Sequence, residues 1–323
     1  MPPIRSTQIF AAARARQRAA ALYLHDPLIS LIDVGMRIKE RDNKQIIDEL
    51  AVRVHLRRKL RGAAFEAFAI RNPQRVVTAE QIGFPVDIVE ANYQLHQFRT
   101  RFPAPQTIRA RVHEPMQGGI SISNAWDRNY GTLGGRVIDR ETGAEMILSA
   151  WHVLASSGYA QPGLKIYQPG YADGGTARYT VAQLTRHAMD QGIDAAVAQL
   201  TGFRPLSNSQ LGLGVVNGVA QPILGMRVTK SGRTSNITDG IIDGIDGVTT
   251  IIYRGFSRVI RHVVHIAQTA HGAEVSAPGD SGAFWLEKNT LQAAALHFAG
   301  DNFPEYGLAL SMPHVLDALN VDI

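Results

Sequence analysis

Two hydrophobic periods divide this chain. From Gln8 to His25 it is rich in Ala, Leu and Arg, all good helix formers, and Phe10, Ala13, Ala20, Ala21 and Leu24 share one face. Pro27 stops the run, so residues 1–25 predict a short amphipathic helix. The period then changes to two. Val34, Met36 and Ile38 alternate with Gly35, Arg37 and Lys39, and Leu50, Val52, Val54 and Leu56 alternate with Ala51, Arg53, His55 and Arg57. This predicts two half-buried strands, with a turn at Asp42-Asn43-Lys44 between them. A further strand is expected over Phe84 to Glu90. Residues 26–112 therefore read as a small α/β accessory unit. The cluster Arg57, Arg58, Lys59 and Arg61 reads as a charged strand end that discourages edge pairing.

Pro103, Pro105, Pro115 and Gly118-Gly119 mark a boundary. Beyond it come short apolar strands separated by Gly, Asp, Asn and Thr turns, for example Gly134 to Ile138, Met146 to Leu148, Leu164 to Tyr167 and Val248 to Tyr253. That rhythm predicts β-barrels or a sandwich. Met312 to Leu319 predicts a closing helix, with Pro313 in its first turn and Val315, Leu316 and Leu319 on its apolar face. No solenoid-length repeat occurs.

Composition narrows the picture. The chain has 323 residues, 45% apolar and 19% charged, with 30 glycines and 15 prolines, which fits a folded, turn-rich, β-rich protein. There is no cysteine, which excludes disulfide staples, thiolate metal sites and a cysteine nucleophile. No apolar run approaches the roughly 18 residues of a membrane span, and the N-terminus lacks a secretory h-region. Its Arg-rich, acid-poor opening weakly resembles a transit peptide; the expected location is cytoplasmic. The net charge of +5 does not demand nucleic acid as a partner.

Chemistry concentrates in Ala277-Pro278-Gly279-Asp280-Ser281-Gly282-Ala283-Phe284-Trp285. Glycines around Asp280-Ser281 permit a tight turn with a bare backbone, and an apolar strand follows. Such a turn suits a nucleophile whose own amide faces a reacting carbonyl. The same residues also suit an ordinary surface turn. A hydroxyl needs a base. His152 follows the apolar strand Met146 to Trp151, and Asp194 opens Asp194-Ala195-Ala196-Val197-Ala198. Asp194 can equally be a turn aspartate, like Asp190. Asp239, Asp243 and Asp246 lack a calcium-loop spacing and read as turn residues.

In chain order the three candidates run His152, Asp194, Ser281. Ser149-Ala150-Trp151-His152-Val153, Asp194-Ala195-Ala196-Val197 and Gly279-Asp280-Ser281-Gly282 resemble the catalytic blocks of chymotrypsin-fold serine proteases. Gly131-Thr132-Leu133-Gly134, Val228 to Thr234 and Asp48 to Val52 are similar to the trypsin-like proteases typified by the plant narrow-leaf protein and its bacterial relatives. The resemblance implies a mainly β, two-barrel protease fold behind the helix and accessory unit, with the first barrel over 119–205 and the second, with the closing helix, over 206–323. It implies a serine endopeptidase acting on protein or peptide, without cofactor or metal. Ser281 would be the nucleophile, His152 the base, Asp194 its orienter, and the amides of Gly279 and Ser281 the oxyanion hole.

By the same alignment the primary pocket has Val275 at its base, Ser276 beside it, and His297, Phe298, Ala299, Gly300 and Gly307 as walls. With no acid at the base, the implied preference is for small or medium apolar residues. Three departures stand out: Trp151 replaces a small residue before the histidine, the flanking disulfide is missing, and Asp280 has no new N-terminus to pair with. An internal Arg, Lys or His must then hold Asp280, or the oxyanion hole is unformed at rest. The helix face and half-buried strands need cover, and the relatives suggest a homo-oligomer. Two rival readings are a catalytically silent scaffold working by assembly and a nucleic-acid or nucleotide binder. The intact triad speaks against the first; the lack of a phosphate loop or aromatic-basic stacking motif speaks against the second.

Overall fold

The computed structural model describes residues 4–41, 44–95, 98–99, 107–156, 160–302 and 305–323. The expected turn at Asp42-Asn43 and the boundary prolines Pro103 and Pro105 lie outside the described residues.

Helix α1 (Ser6–Tyr23) leads into an antiparallel hairpin, β1 (Ile29–Arg41) and β2 (Lys44–Leu56). Two short helices follow, α2 (Ala63–Arg71) and α3 (Ala79–Ile82), and then β3 (Val86–Glu90), which runs parallel to β2. Two two-residue strands complete the front, β4 (Gln94–Leu95) and β5 (Phe98–Arg99).

The expected face of α1 is corrected. Ala12, Ala15, Ala19 and Tyr23 are buried, spaced three and four apart as one helix face requires, whereas Phe10 is 71% exposed. The buried face meets Ile29, Ile32, Val52, Val54, Ile82 and Val248 of the same chain. Alanines bury little area, so polar ties matter. Arg16 pairs with Asp246 at 2.8 Å, Arg18 Nε donates to Ile82 O at 2.9 Å, and Tyr23 Oη donates to Gln81 Oε1 at 2.6 Å. The helix thus finds its cover within the chain.

After β6 (Met116–Gly118), the first barrel is built from β7 (Ser121–Asn124), β8 (Asn129–Thr132), β9 (Gly135–Asp139) and β10 (Glu145–Ser149) and, after the single-turn helix α4 (Trp151–Leu154), from β11 (Lys165–Tyr167), β12 (Thr180–His187) and β13 (Ala196–Leu200). β14 (Leu206–Gln210) and β15 (Gly214–Val215) join β6 in a separate three-stranded sheet. β8 and β9 lie near opposite ends of one sheet path, yet only Leu133-Gly134 separates them in sequence. The sheet must therefore curl until its ends meet, enclosing Ile122, Leu133, Val137, Ile147, Leu148 and Val197.

The second barrel consists of β16 (Arg227–Gly232), β17 (Asn236–Tyr253), β18 (Phe256–Ala267), β19 (Phe284–Glu287), β20 (Ala293–Asn302) and β21 (Glu305–Ser311). Their order is β16-β19-β20-β21-β18-β17, and pairing of β16 with β17 closes the ring. Helix α5 (Met312–Leu319) and β22 (Val321–Asp322) end the chain, β22 crossing back to pair with β9 of the first barrel.

β1 pairs antiparallel with β17, Leu31 opposite Thr249 and Ile32 opposite Val248, so the front unit continues the sheet of the second barrel. Residues 29–36 of β1 and 50–55 of β2 are buried on both faces rather than half-buried: α1 covers Ile32, Val52 and Val54, and Tyr93 and His265 lie against His55 on the other face. Arg53 and His55, expected to face water, are 4% and 0% exposed. Asp239, Asp243 and Asp246 are also corrected: they lie within β17, and their cationic partners are Lys288 at 2.6 Å, Arg53 at 2.9 Å and Arg16 at 2.8 Å. Among the described residues no helix is long and apolar enough to cross a membrane.

Candidate active site

The sheet register brings His152 and Asp194 together. β10 pairs antiparallel with β13, with Ser149 opposite Ala196. His152 lies three residues beyond Ser149 and Asp194 two before Ala196, so both fall at the same end of this strand pair. β10 stops at Ser149, and His152 stands on α4 rather than on the strand end expected from the sequence. Its Nδ1 lies 2.6 Å from Asp194 Oδ2, and its backbone N–H donates to Asp194 Oδ1 at 3.1 Å. Tyr253 Oη donates to the same carboxylate at 2.7 Å. Asp194 is 0% exposed, so these donors satisfy a carboxylate that water does not reach. Next to this carboxylate, burial foremost and the charge of Asp194 next hold the Tyr253 phenol well above its usual range.

Trp151 has a packing role. Its ring meets Tyr253 edge-on, centroids 5.7 Å apart, and the Arg258 guanidinium lies over the ring, 5.3 Å from its centroid. The bulky residue before the histidine thus buttresses the tyrosine that holds the aspartate. Tyr253 was missed in the sequence because it reads there only as the end of a β-branched strand.

Ser281 lies in the turn before β19 and touches both barrels. Its carbonyl accepts from Thr132 N–H at 2.8 Å, and its hydroxyl donates to Phe298 O at 3.1 Å. Gly131 sits between the serine and the histidine helix: a Cβ there would meet Val153 Cγ2 at 2.4 Å and Ser281 O at 3.1 Å. The turn needs its glycines. Gly279 has φ +106° and Gly282 φ +96°, and a Cβ on Gly282 would lie 2.0 Å from Ser149 Oγ. Thr132 Oγ1 donates to Gly279 O at 2.9 Å and accepts from Arg233 N–H at 2.9 Å.

Asp280 has an internal cation. Lys230 Nζ lies 2.8 Å from Asp280 Oδ2, both side chains being fully buried. The N–H groups of Thr234, Ser235 and Ala277 donate to this carboxylate at 2.9, 3.1 and 3.0 Å, and the Ser235 hydroxyl donates as well. Burial alone would raise its pKa. The Lys230 charge and the Lys230 and Ser235 hydrogen bonds outweigh it and hold the carboxyl well below its usual range. Burial in turn pulls the Lys230 ammonium down, and Asp280 offsets only part of that. The stretch Val228 to Thr234 therefore clasps the Ser281 turn: Lys230 takes Asp280, Thr234 Oγ1 donates to Pro278 O at 2.9 Å, and Arg233 pairs with Asp173.

The expected pocket residues also converge. Val275, Ser276, His297, Phe298, Ala299, Gly300 and Gly307 are all buried. A Cβ on Gly307 would meet Val275 Cγ1 at 3.2 Å and His297 Cε1 at 3.5 Å. Trp285 Nε1 donates to His297 Nδ1 at 3.3 Å, and Thr238 Oγ1 donates to Val275 O at 2.7 Å.

No protein-family model matches this chain, and no curated protein matches it. Among solved structures it is similar to the chymotrypsin of Cellulomonas bogoriensis, at 17% identity and TM-score 0.46, over 64% of this chain and 97% of that one. It is similar to protease A of Thermobifida fusca at 16% identity and TM-score 0.47, over 64% and 97%. It is also similar to a glutamic acid specific serine protease described as using a histidine triad in substrate binding, at 18% identity and TM-score 0.48, over 64% and 100%. These neighbours are serine proteases of the chymotrypsin-like kind; this chain is itself mainly β, with two barrels and an N-terminal helix.

Proposed function

We propose that this chain is a serine endopeptidase. The carrying observation is the buried Asp194 carboxylate 2.6 Å from His152 Nδ1, on a barrel edge that also anchors the Ser281 turn. With Nδ1–H held by Asp194, the proton-free nitrogen is Nε2, the one a general base uses. Ser281 Oγ attacks the scissile carbonyl carbon while His152 Nε2 takes the hydroxyl proton. The C–N bond then breaks, His152 returns the proton to the leaving amine, and water releases the acyl group by the same steps.

The Gly279 and Ser281 N–H groups are proposed to bind the oxyanion. In support, the neighbouring amides are committed elsewhere: Asp280 N–H donates to Ala277 O at 3.0 Å, Gly282 N–H to His297 O at 2.8 Å and Ala283 N–H to Asp280 O at 3.0 Å. One oxyanion donor is worth roughly 3–4 kcal/mol of barrier. Apolar Val275 supports a preference for small or medium apolar residues at the cleaved position. The narrower likeness to the narrow-leaf proteases rests on sequence blocks, two of which, Gly131 to Gly134 and Val228 to Thr234, clasp the nucleophile turn. Self-association is also proposed; exposed Phe10, Ile252 and Phe256 support it.

The silent-scaffold reading rests on one observation, the Ser281 hydroxyl turned to the Phe298 carbonyl. Incubating a random peptide library with wild type and Ser281→Ala separates the two. Cleavage after apolar residues, lost in the variant, is the expected result. Cleavage dominated by Arg or Lys would refute the pocket, and equal cleavage by both proteins would refute the nucleophile.

A further inference from the structure

One edge of β20 changes neighbour along its length. As far as Leu296 its partner is β19, through Phe284. At His297 it is the nucleophile turn: Gly282 N–H donates to His297 O at 2.8 Å and His297 N–H to Ala283 O at 2.9 Å. At Phe298 it is the Ser281 hydroxyl, at 3.1 Å. At Ala299 and Gly300 it is β4, with Leu95 and Gln94 opposite them. β8 repeats the order. Thr132 N–H donates to Ser281 O, and Tyr130 and Asn129, just before it, pair with Phe98 and Arg99 of β5.

The directions agree. From Gln94 to Leu95 the partners run Gly300 to Ala299, toward Phe298 and Ser281. From Phe98 to Arg99 they run Tyr130 to Asn129, away from Thr132 and Ser281. Leu95 and Phe98 are three peptide steps apart, so their Cα atoms lie within about 11 Å. His96 and Gln97, which join them in sequence, lie outside the described residues. The run-up is firmly held. Asn92 N–H donates to Asp301 Oδ2 at 2.6 Å, and buried Tyr93 Oη lies 2.8 Å from both His55 Nδ1 and His265 Nε2.

We propose that the substrate channel is filled by this chain's own β4 and β5, bound by main-chain pairing as an extended polypeptide on either side of Ser281, and that an external polypeptide enters by displacing them. The ligand class is thus an extended peptide backbone, recognised by strand addition at Ala299-Gly300 and at Asn129-Tyr130. What the channel does rests on the endopeptidase reading; that it is occupied rests on strand pairing alone. A tethered occupant acts at an effective concentration on the order of millimolar, so it competes strongly with dilute substrate.

The test compares wild type with Leu95→Pro/Phe98→Pro, in which proline removes two backbone donors. Two probes are used, a small alkyl fluorophosphonate and a tetrapeptidyl phosphonate that needs the Ala299-Gly300 edge. Expected is at least about tenfold faster labelling of the variant by the peptidyl probe, with less than about threefold change for the small one. Equal peptidyl labelling of both folded proteins, while the small probe labels each, overturns it. If neither probe labels either protein, the hydrolase reading has failed, and amide exchange on wild type decides occupancy. Slow exchange at Gln94, Leu95, Phe98 and Arg99 supports it, and fast exchange overturns it.

Discussion

Two buried aspartates in this molecule each hold a histidine, in different charge surroundings. In the front unit Asp33 Oδ1 lies 3.3 Å from His55 Nε2, and Arg53 grips the same carboxylate through Nε at 2.8 Å and Nη2 at 2.5 Å. Arg53 also reaches Asp243 at 2.9 Å, and Tyr93 links His55 to His265. A fixed cation thus neutralises the carboxylates. Burial pulls the His55 pKa down, the Asp33 charge recovers only part, and the value settles at about 4. Asp194 differs. The partners it shows are the His152 N–H and ring and the Tyr253 hydroxyl, with no Lys or Arg bonded to it among the described residues. Its charge remains available to an imidazolium that forms during reaction. On the proposed function, the pair closed by a fixed cation is structural and the pair without one serves the reaction.

The largest expected contrast is between two matched substitutions. Asp194→Asn should cut kcat on the order of 10⁴-fold, through loss of the productive tautomer, with little change in thermal midpoint. Asp33→Asn should leave kcat within about threefold and instead lower stability by about 3–5 kcal/mol, the cost of breaking a buried ion pair. Paired urea melts and peptide turnover read both. Similar kcat values for the two variants would erase the distinction, and exposed Asp190 would be the next carboxylate to test.

Lys230→Met comes next. It strands buried Asp280 without its cation, so a loss of about 3–5 kcal/mol is expected in a urea melt, with labelling of Ser281 falling as the turn loosens. An unchanged midpoint would mean that the surrounding N–H groups suffice to hold Asp280.

A smaller effect concerns acid. His55 has its pKa depressed from about 6.5 to about 4 in the fold, so between these values the unfolded chain binds more protons. Stability should be full above about pH 6.5 and decline as pH falls toward about 4, by on the order of 2–3 kcal/mol. Burial sets the sign, Asp33 opposes it, and Arg53 and His265 add to it. Further acid then costs the stability carried by Asp33, Asp243 and Asp280, whose carboxyls are all held low. His55→Gln should flatten the upper part of the curve in thermal melts at stepped pH. An unaltered slope would take His55 out of the account.

The smallest effect is Tyr253→Phe, which deletes one hydrogen bond to Asp194 and is expected to lower kcat about tenfold. Unchanged kcat would leave Tyr253 a packing residue for Trp151.

The candidates His152, Asp194 and Ser281 stood out in the sequence because glycines flank Ser281 and apolar strands flank the other two; the 2.6 Å contact of His152 with Asp194 is what the fold adds. The barrels were legible because their strands are short and punctuated by turns. Less could be read at the front. The face of α1 was misjudged because alanine-rich helices offer no strong moment, and three alanines with Tyr23 make the buried side. Arg53 and His55 read as solvent-facing because period two does not reveal the distant side chains that meet them, Asp243 for Arg53 and Tyr93 and His265 for His55. Asp239, Asp243 and Asp246 read as turns because their partners, Lys288, Arg53 and Arg16, are far away in sequence. β4 and β5 were invisible, since two-residue strands have no period. Lys230 was within a motif already noted, but only the fold brings it to Asp280.

The central claim, that Ser281 is a nucleophile activated by His152, is met most directly by intact-mass analysis after reaction with a fluorophosphonate. The predicted result is a single adduct mapped to Ser281 in wild type and none in Ser281→Ala or His152→Ala. An adduct of equal yield in Ser281→Ala, or none in the folded Leu95→Pro/Phe98→Pro protein with its channel opened, would contradict it.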